Sequence, residues 1–113
     1  MSLSYKGNGV KMANKYRLKA LSLLQESKCC YECGTTLNLH RHHIFYGTAN
    51  RKLSEKDNLV VYLCYEHHTG AFGVHNGNKA LDLKLKKAGQ RAYMKYYGKT
   101  AEEFRERYGK NYL

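Results

Sequence analysis

The sequence is poor in acid, lacks proline and contains no long apolar run. Its 113 residues carry 9 Asp and Glu against 20 Lys and Arg, a formal net charge of +11 with histidine neutral. That imbalance favours a polyanionic partner, either nucleic acid or an anionic membrane surface. No apolar stretch approaches the roughly 20 residues needed to span a bilayer, and no charged-then-apolar signal segment opens the chain. Nucleic acid is therefore preferred to membrane, and the cytoplasm to secretion. Without a secretory route, the four cysteines read as metal ligands or free thiols before they read as two disulfides. With no proline, the ends of elements are marked by glycine, asparagine and capping patterns. A chain of this length makes one small domain, and small cores often need a metal or another cross-link.

Residues 1–10, with Gly7, Asn8 and Gly9, read as a flexible lead-in, and 11–113 as a single domain. A helix is predicted over 11–26, with Met12, Tyr16, Leu21 and Leu24 on one face and Lys15 and Lys19 on the other. Residues 29–34 form a tight turn, 37–45 a strand, 47–57 a charged loop, and 59–63 a second strand. A helix over 79–97 has Asn78 as its cap, Leu81, Leu85, Ala88 and Ala92 as its stripe, and Gly98 as its stop. The pattern Thr100-x-x-Glu103 opens a last short helix carrying Phe104 and Tyr108 and ended by Gly109. The fold class is α+β: a strand, loop, strand and histidine-rich segment at the centre, with helices on both flanks.

Two metal signals sit in that centre. Cys30-x-x-Cys33 pairs with Cys64-x-x-His67. Two residues between ligands let a tight turn present both side chains to one tetrahedral ion, and thiolate with imidazole is a zinc-type set. Cys29 is less well spaced from Cys33 and is expected to pack at the end of the first helix. The histidines left over, His42, His43, His68 and His75, form the second signal. Adjacent strand residues point to opposite faces, so one of His42 and His43 suits a ligand and the other a base. His40 shares the face of His42 and either supports the site from behind or decorates the hairpin.

Cys30-x-x-Cys33, Leu39-x-x-His42-His43-Ile44, Asn58-Leu59 and Leu63-Cys64-x-x-His67-His68 together resemble the HNH endonuclease motif, over roughly residues 29–70. The flanking helices and the Arg51-Lys52…Ser54-Glu55 stretch also resemble compact HNH proteins of phages and prophages. The resemblance implies a ββα-metal core braced by a structural zinc on Cys30, Cys33, Cys64 and His67. It further implies that His43 is the general base and Asn58 the residue that orients loop and base. His42 and His68 then hold a catalytic divalent ion (Mg²⁺, Mn²⁺ or Ni²⁺), and His67 stands where many zinc-braced members have cysteine. His75 has no place in the short motif; it is ranked as a further ligand, then a phosphate contact, then a surface residue.

Arg51, Lys52 and Lys56 lie between the strands, where the ββα arrangement would set them beside the scissile phosphate as contacts that position a duplex without reading it. The tyrosines at 93, 96 and 97 read as packing. The function expected is a metal-dependent DNA endonuclease, cutting one strand or both, as a monomer or homodimer. The alternative is a zinc-stabilised nucleic-acid-binding module without catalysis.

Overall fold

The computed structural model describes residues 21–113. The lead-in and the part of the expected first helix before Leu21 lie outside the described residues. Residues 21–26 do not form a helix. The Ser22 hydroxyl accepts the N–H groups of Leu24 and Gln25 at 3.1 and 3.2 Å, a local bond that competes with helix formation. Gln25 then bridges outward. Its Nε2 donates to the Cys29 carbonyl at 2.8 Å, and its Oε1 accepts the Tyr62 N–H at 2.6 Å.

The centre is a two-stranded antiparallel ribbon. Strand β1 (Leu39–His43) pairs with β2 (Val60–Cys64), with Leu39 opposite Cys64 and His43 opposite Val60. Between them the expected charged loop is a helix, α1 (Thr48–Asp57). Ala49, Arg51, Lys52, Leu53, Glu55 and Lys56 are adequate helix formers, but the buried face of α1 is polar, so no apolar stripe betrays it. Ser54 is fully buried; its hydroxyl donates to the Phe45 carbonyl at 2.8 Å and accepts the Phe45 N–H at 3.0 Å. Asp57 is buried too and accepts from Arg107 Nε at 2.7 Å, Arg107 Nη2 at 3.0 Å and the Tyr108 hydroxyl at 2.6 Å. Asn58 ends α1 in the left-handed region, with φ 59° and ψ 38°.

Strand β2 runs directly into a single turn, α2 (Tyr65–His68). The long helix α3 (Lys79–Tyr97) has the expected ends: the Asn78 side chain accepts the Leu81 N–H, and Gly98 closes it. Helix α4 (Ala101–Tyr108) carries the full capping box of Thr100 and Glu103. The buried residues of α3 are Leu81, Leu85, Gly89, Gln90 and Tyr93, whereas Ala88 and Ala92 are only half-buried. Gly89 is small for a reason: a Cβ there would stand 3.1 Å from both Ile44 Cγ2 and Phe45 Cε2. Helix α3 thus lies against the residues that leave β1. Phe104 fills the core between Phe45 and Tyr108, with ring centroids 5.2 and 4.7 Å away. Tyr93 is buried in that same cluster, as expected for a packing residue.

Candidate metal centres and the cleft at the second

The first centre is built by the turn before β1 and by the junction of β2 with α2. The turn is closed by hydrogen bonds from Gly34 N–H to the Cys30 carbonyl and from Cys30 N–H to the Thr35 carbonyl, both 2.8 Å. The Cys33 N–H points at Cys30 Sγ, 3.5 Å away. One ligand atom from each of Cys30, Cys33, Cys64 and His67 falls within 4.8 Å of all the others. Cys33 and Cys64 Sγ are 3.9 Å apart, and His67 Nδ1 is 3.7 Å from Cys30 Sγ and 3.3 Å from Cys64 Sγ. Ordinary zinc bond lengths put tetrahedral edges at about 3.8 Å between thiolates and about 3.6 Å between thiolate and imidazole. The cluster could therefore hold a structural metal ion. Burial pushes the Cys30 thiol up, but backbone amides at Cys64, Cys33 and Glu32 outweigh it and bring it down to about 6. At Cys33 the Thr35 amide pulls down, yet burial and the neighbouring Cys30 and Cys64 sulfurs leave the thiol raised. Cys29 is half-buried and outside the cluster; it packs beside a bend, not beside a helix end.

The second centre gathers histidines from three places. His42 comes from β1, His68 from α2, and His75 from the loop that follows. That loop folds back on α2 through bonds from Val74 N–H to the His67 carbonyl (2.9 Å) and from His75 N–H to the His68 carbonyl (3.0 Å). Gly73 permits the fold-back: a Cβ there would stand 2.6 Å from the His68 carbonyl oxygen. One ring nitrogen from each of the three histidines lies within 4.8 Å of the other two. His42 is 2 % exposed, and its Nε2 has no hydrogen-bond partner among the described residues. Leaving a buried polar atom unpaired is costly, and a cation beside that nitrogen would satisfy it. Burial, then repulsion from His68 and His75, lowers His42 to about 3; burial, then repulsion from His75 and His40, lowers His68 to about 4. Both rings stay neutral at physiological pH, the form that ligates metal.

His43 faces away from this trio, as strand alternation requires. Its Nε2 lies 2.8 Å from Glu55 Oε1 on α1. Arg41, two residues earlier on the same face, donates to both Glu55 oxygens at 2.5 and 3.1 Å. Arg41 first, then His43, holds the Glu55 carboxyl down at about 2. An ionised carboxylate can only accept, so His43 presents Nε2–H to it, which in the neutral ring leaves the lone pair on Nδ1.

An open cleft joins these groups, lined by Arg41, His42, His43, Tyr46, Gly47, Thr48, Arg51, His68 and His75. The structure thus brings His42, His68 and His75 together and lines the same cleft with His43 and Arg51. Lys52 and Lys56 are exposed on α1 and do not line the cleft, nor does Asn58. The carbonyl of Asn58 accepts the Leu23 N–H at 3.1 Å. Sequence reasoning passed over Arg41 and, although it quoted Glu55 in the stretch after β1, gave that residue no role. The signal for Arg41 was its i−2 spacing from His43, which puts both on one strand face.

Comparison with protein-family models, with curated proteins and with solved structures finds no match. Among the described residues, no helix is long and apolar enough to cross a membrane.

Proposed function

We propose that the protein is a metal-dependent endonuclease of the HNH type that hydrolyses DNA phosphodiester bonds. The observation that carries this reading is the juxtaposition in one cleft of the imidazole trio, with its buried and unpartnered His42 Nε2, and of His43, whose ring pairs with Glu55.

His42, His68 and His75 would hold the catalytic ion, while Cys30, Cys33, Cys64 and His67 would hold a structural zinc. The catalytic ion, when bound, supplies charge that polarises a non-bridging phosphate oxygen and stabilises the leaving oxyanion. Three imidazoles without a carboxylate suit Ni²⁺, Zn²⁺ or Mn²⁺ better than Mg²⁺, which prefers oxygen donors. His43 takes the proton of the attacking water at Nδ1. Glu55 keeps Nε2–H in place and offsets the positive charge that His43 then acquires. Arg51 and the first turn of α1 face the phosphates. Gly47 caps that helix without a side-chain bond and no acid occupies its first turn, so its positive end is left for an anion. Asn58 serves by ending α1, three residues after Glu55.

The test is cleavage of supercoiled plasmid across Mg²⁺, Mn²⁺ and Ni²⁺ with an EDTA control. His43→Ala should keep the fold, zinc content, ion binding and DNA binding, yet cut about 10²- to 10⁴-fold more slowly. His68→Ala should lose cleavage through weakened ion binding and recover partly at high Mn²⁺. If both variants cut at the wild-type rate, the nuclease reading fails and the non-catalytic binding module replaces it.

A further inference from the structure

His40 is the one histidine of the hairpin to which the proposed chemistry gives no work. Strand alternation sets it on the same face as His42, opposite Leu63 of β2. Its Nδ1 lies 2.8 Å from Nδ1 of His68, with the two rings 5.0 Å apart and crossed at 75°. Two nitrogens sharing one tetrahedral ion at ordinary zinc distances would stand about 3.3 Å apart. A separation of 2.8 Å is therefore hydrogen-bond spacing, not shared ligation, and His40 stands outside the trio of candidate ligands. The Tyr65 ring, crossed at 84° with its centroid 6.3 Å away, packs beside the His40 ring.

One of these two nitrogens must donate and the other accept. A neutral imidazole carries a single N–H, and its other nitrogen is a lone pair. If His68 ligates, its ligating nitrogen is the lone pair, so its proton sits on the nitrogen facing away from the ion. Metal-binding histidines usually donate that second N–H to a carboxylate, a backbone carbonyl or water, which fixes the tautomer and the ring's orientation. The atom facing His68 Nδ1 is the imidazole nitrogen of His40.

We propose that His40 is a positioning residue for the catalytic ion: its Nδ1 accepts Nδ1–H of His68 and leaves Nε2 of His68 to ligate. His40 itself then carries its proton on Nε2. One 2.8 Å contact thereby sets two tautomers and aims one ligand. This inference rests on the reading of His42, His68 and His75 as an ion site.

The experiment measures Mn²⁺ binding to the zinc-loaded full chain, following free Mn²⁺ by electron paramagnetic resonance. His40→Ala should weaken Mn²⁺ binding about 10- to 100-fold, the usual effect of removing such a partner, with zinc content unchanged. His40→Gln offers a carbonyl oxygen to the same N–H and should recover most of the loss. Long-range ¹⁵N–¹H spectra of the wild-type chain, read before Mn²⁺ is added, should show His68 protonated at Nδ1 and His40 at Nε2. The inference is overturned if His40→Ala binds Mn²⁺ as tightly as wild type, if His40→Gln is no better than His40→Ala, or if the tautomers are reversed. Mn²⁺ binding as tight in His42→Ala as in the wild-type chain would defeat the ion site itself, a separate outcome.

Discussion

Replacing Cys33 by serine removes one of three sulfurs from the first metal centre while leaving the buried Cys30 and Cys64 untouched. Cys33 is exposed, so the change opens no core cavity, and what would be lost is the cross-link made by the proposed zinc. A bound ion ties the turn at Cys30 and Cys33 to the β2–α2 junction, closing a loop of about 30 residues. In the chain-entropy account, closing such a loop is worth about 3.5–4 kcal/mol. Small domains have only about 5–15 kcal/mol in all. At about 4–8 °C per kcal/mol for a domain of this size, the melting temperature should fall by about 15–30 °C. The assay is a far-ultraviolet circular dichroism melt, with metal content measured on the same sample by mass spectrometry. Cys29→Ser is the matched control: the same chemical change at a half-buried sulfur outside the cluster should leave the zinc and move the melt by only a few degrees. The reasoning is refuted if Cys33→Ser keeps one zinc per chain and melts with the wild type. It is equally refuted if Cys29→Ser is the variant that loses the metal.

DNA affinity should fall linearly in log–log form with salt, and replacing Arg51 and Lys52 together by alanine should flatten the slope by up to about two units. Since Arg51 alone of the pair lines the cleft, Arg51→Ala should account for most of any loss of cleavage; an unchanged slope in the double variant would remove α1 from the DNA surface. Gly73→Ala forces a methyl against the His68 carbonyl, so it should displace His75 and weaken Mn²⁺ binding at least tenfold, as loss of a metal ligand's support does. Zinc content should stay at one per chain, and unchanged Mn²⁺ affinity would show that the fold-back of the loop does not set the second centre.

What the sequence revealed, and what it hid, follows from where each side chain finds its partner. The Cys30/Cys33 and Cys64/His67 spacings are local chemistry, and the cluster assembled as the spacings required. The caps at Asn78 and Thr100 are equally local and hold. Helix α1 was illegible because its buried groups, Ser54 and Asp57, are polar and take their partners from Phe45, Arg107 and Tyr108, up to about 50 positions along the chain. Gln90 was missed as a core residue for the same reason. It is fully buried, donating to Asn111 Oδ1 and accepting the Tyr112 N–H, both at 2.7 Å. His75 lay outside the short motif, and only the loop closing over Gly73 brings it to His42. The fold-class expectation stands at its coarse level, mixed α and β around a two-stranded sheet.

His67 and His68 are neighbours in the chain, yet they serve different clusters. The single turn of α2 has no buried residue of its own, so it depends on its surroundings to hold its shape. An ion seated on His67 would clamp that turn and, with it, the bearing of His68. Occupancy of the two centres would then be coupled through that turn, each favouring the other. Emptying the first cluster would thereby loosen the second, through the one turn that the two share.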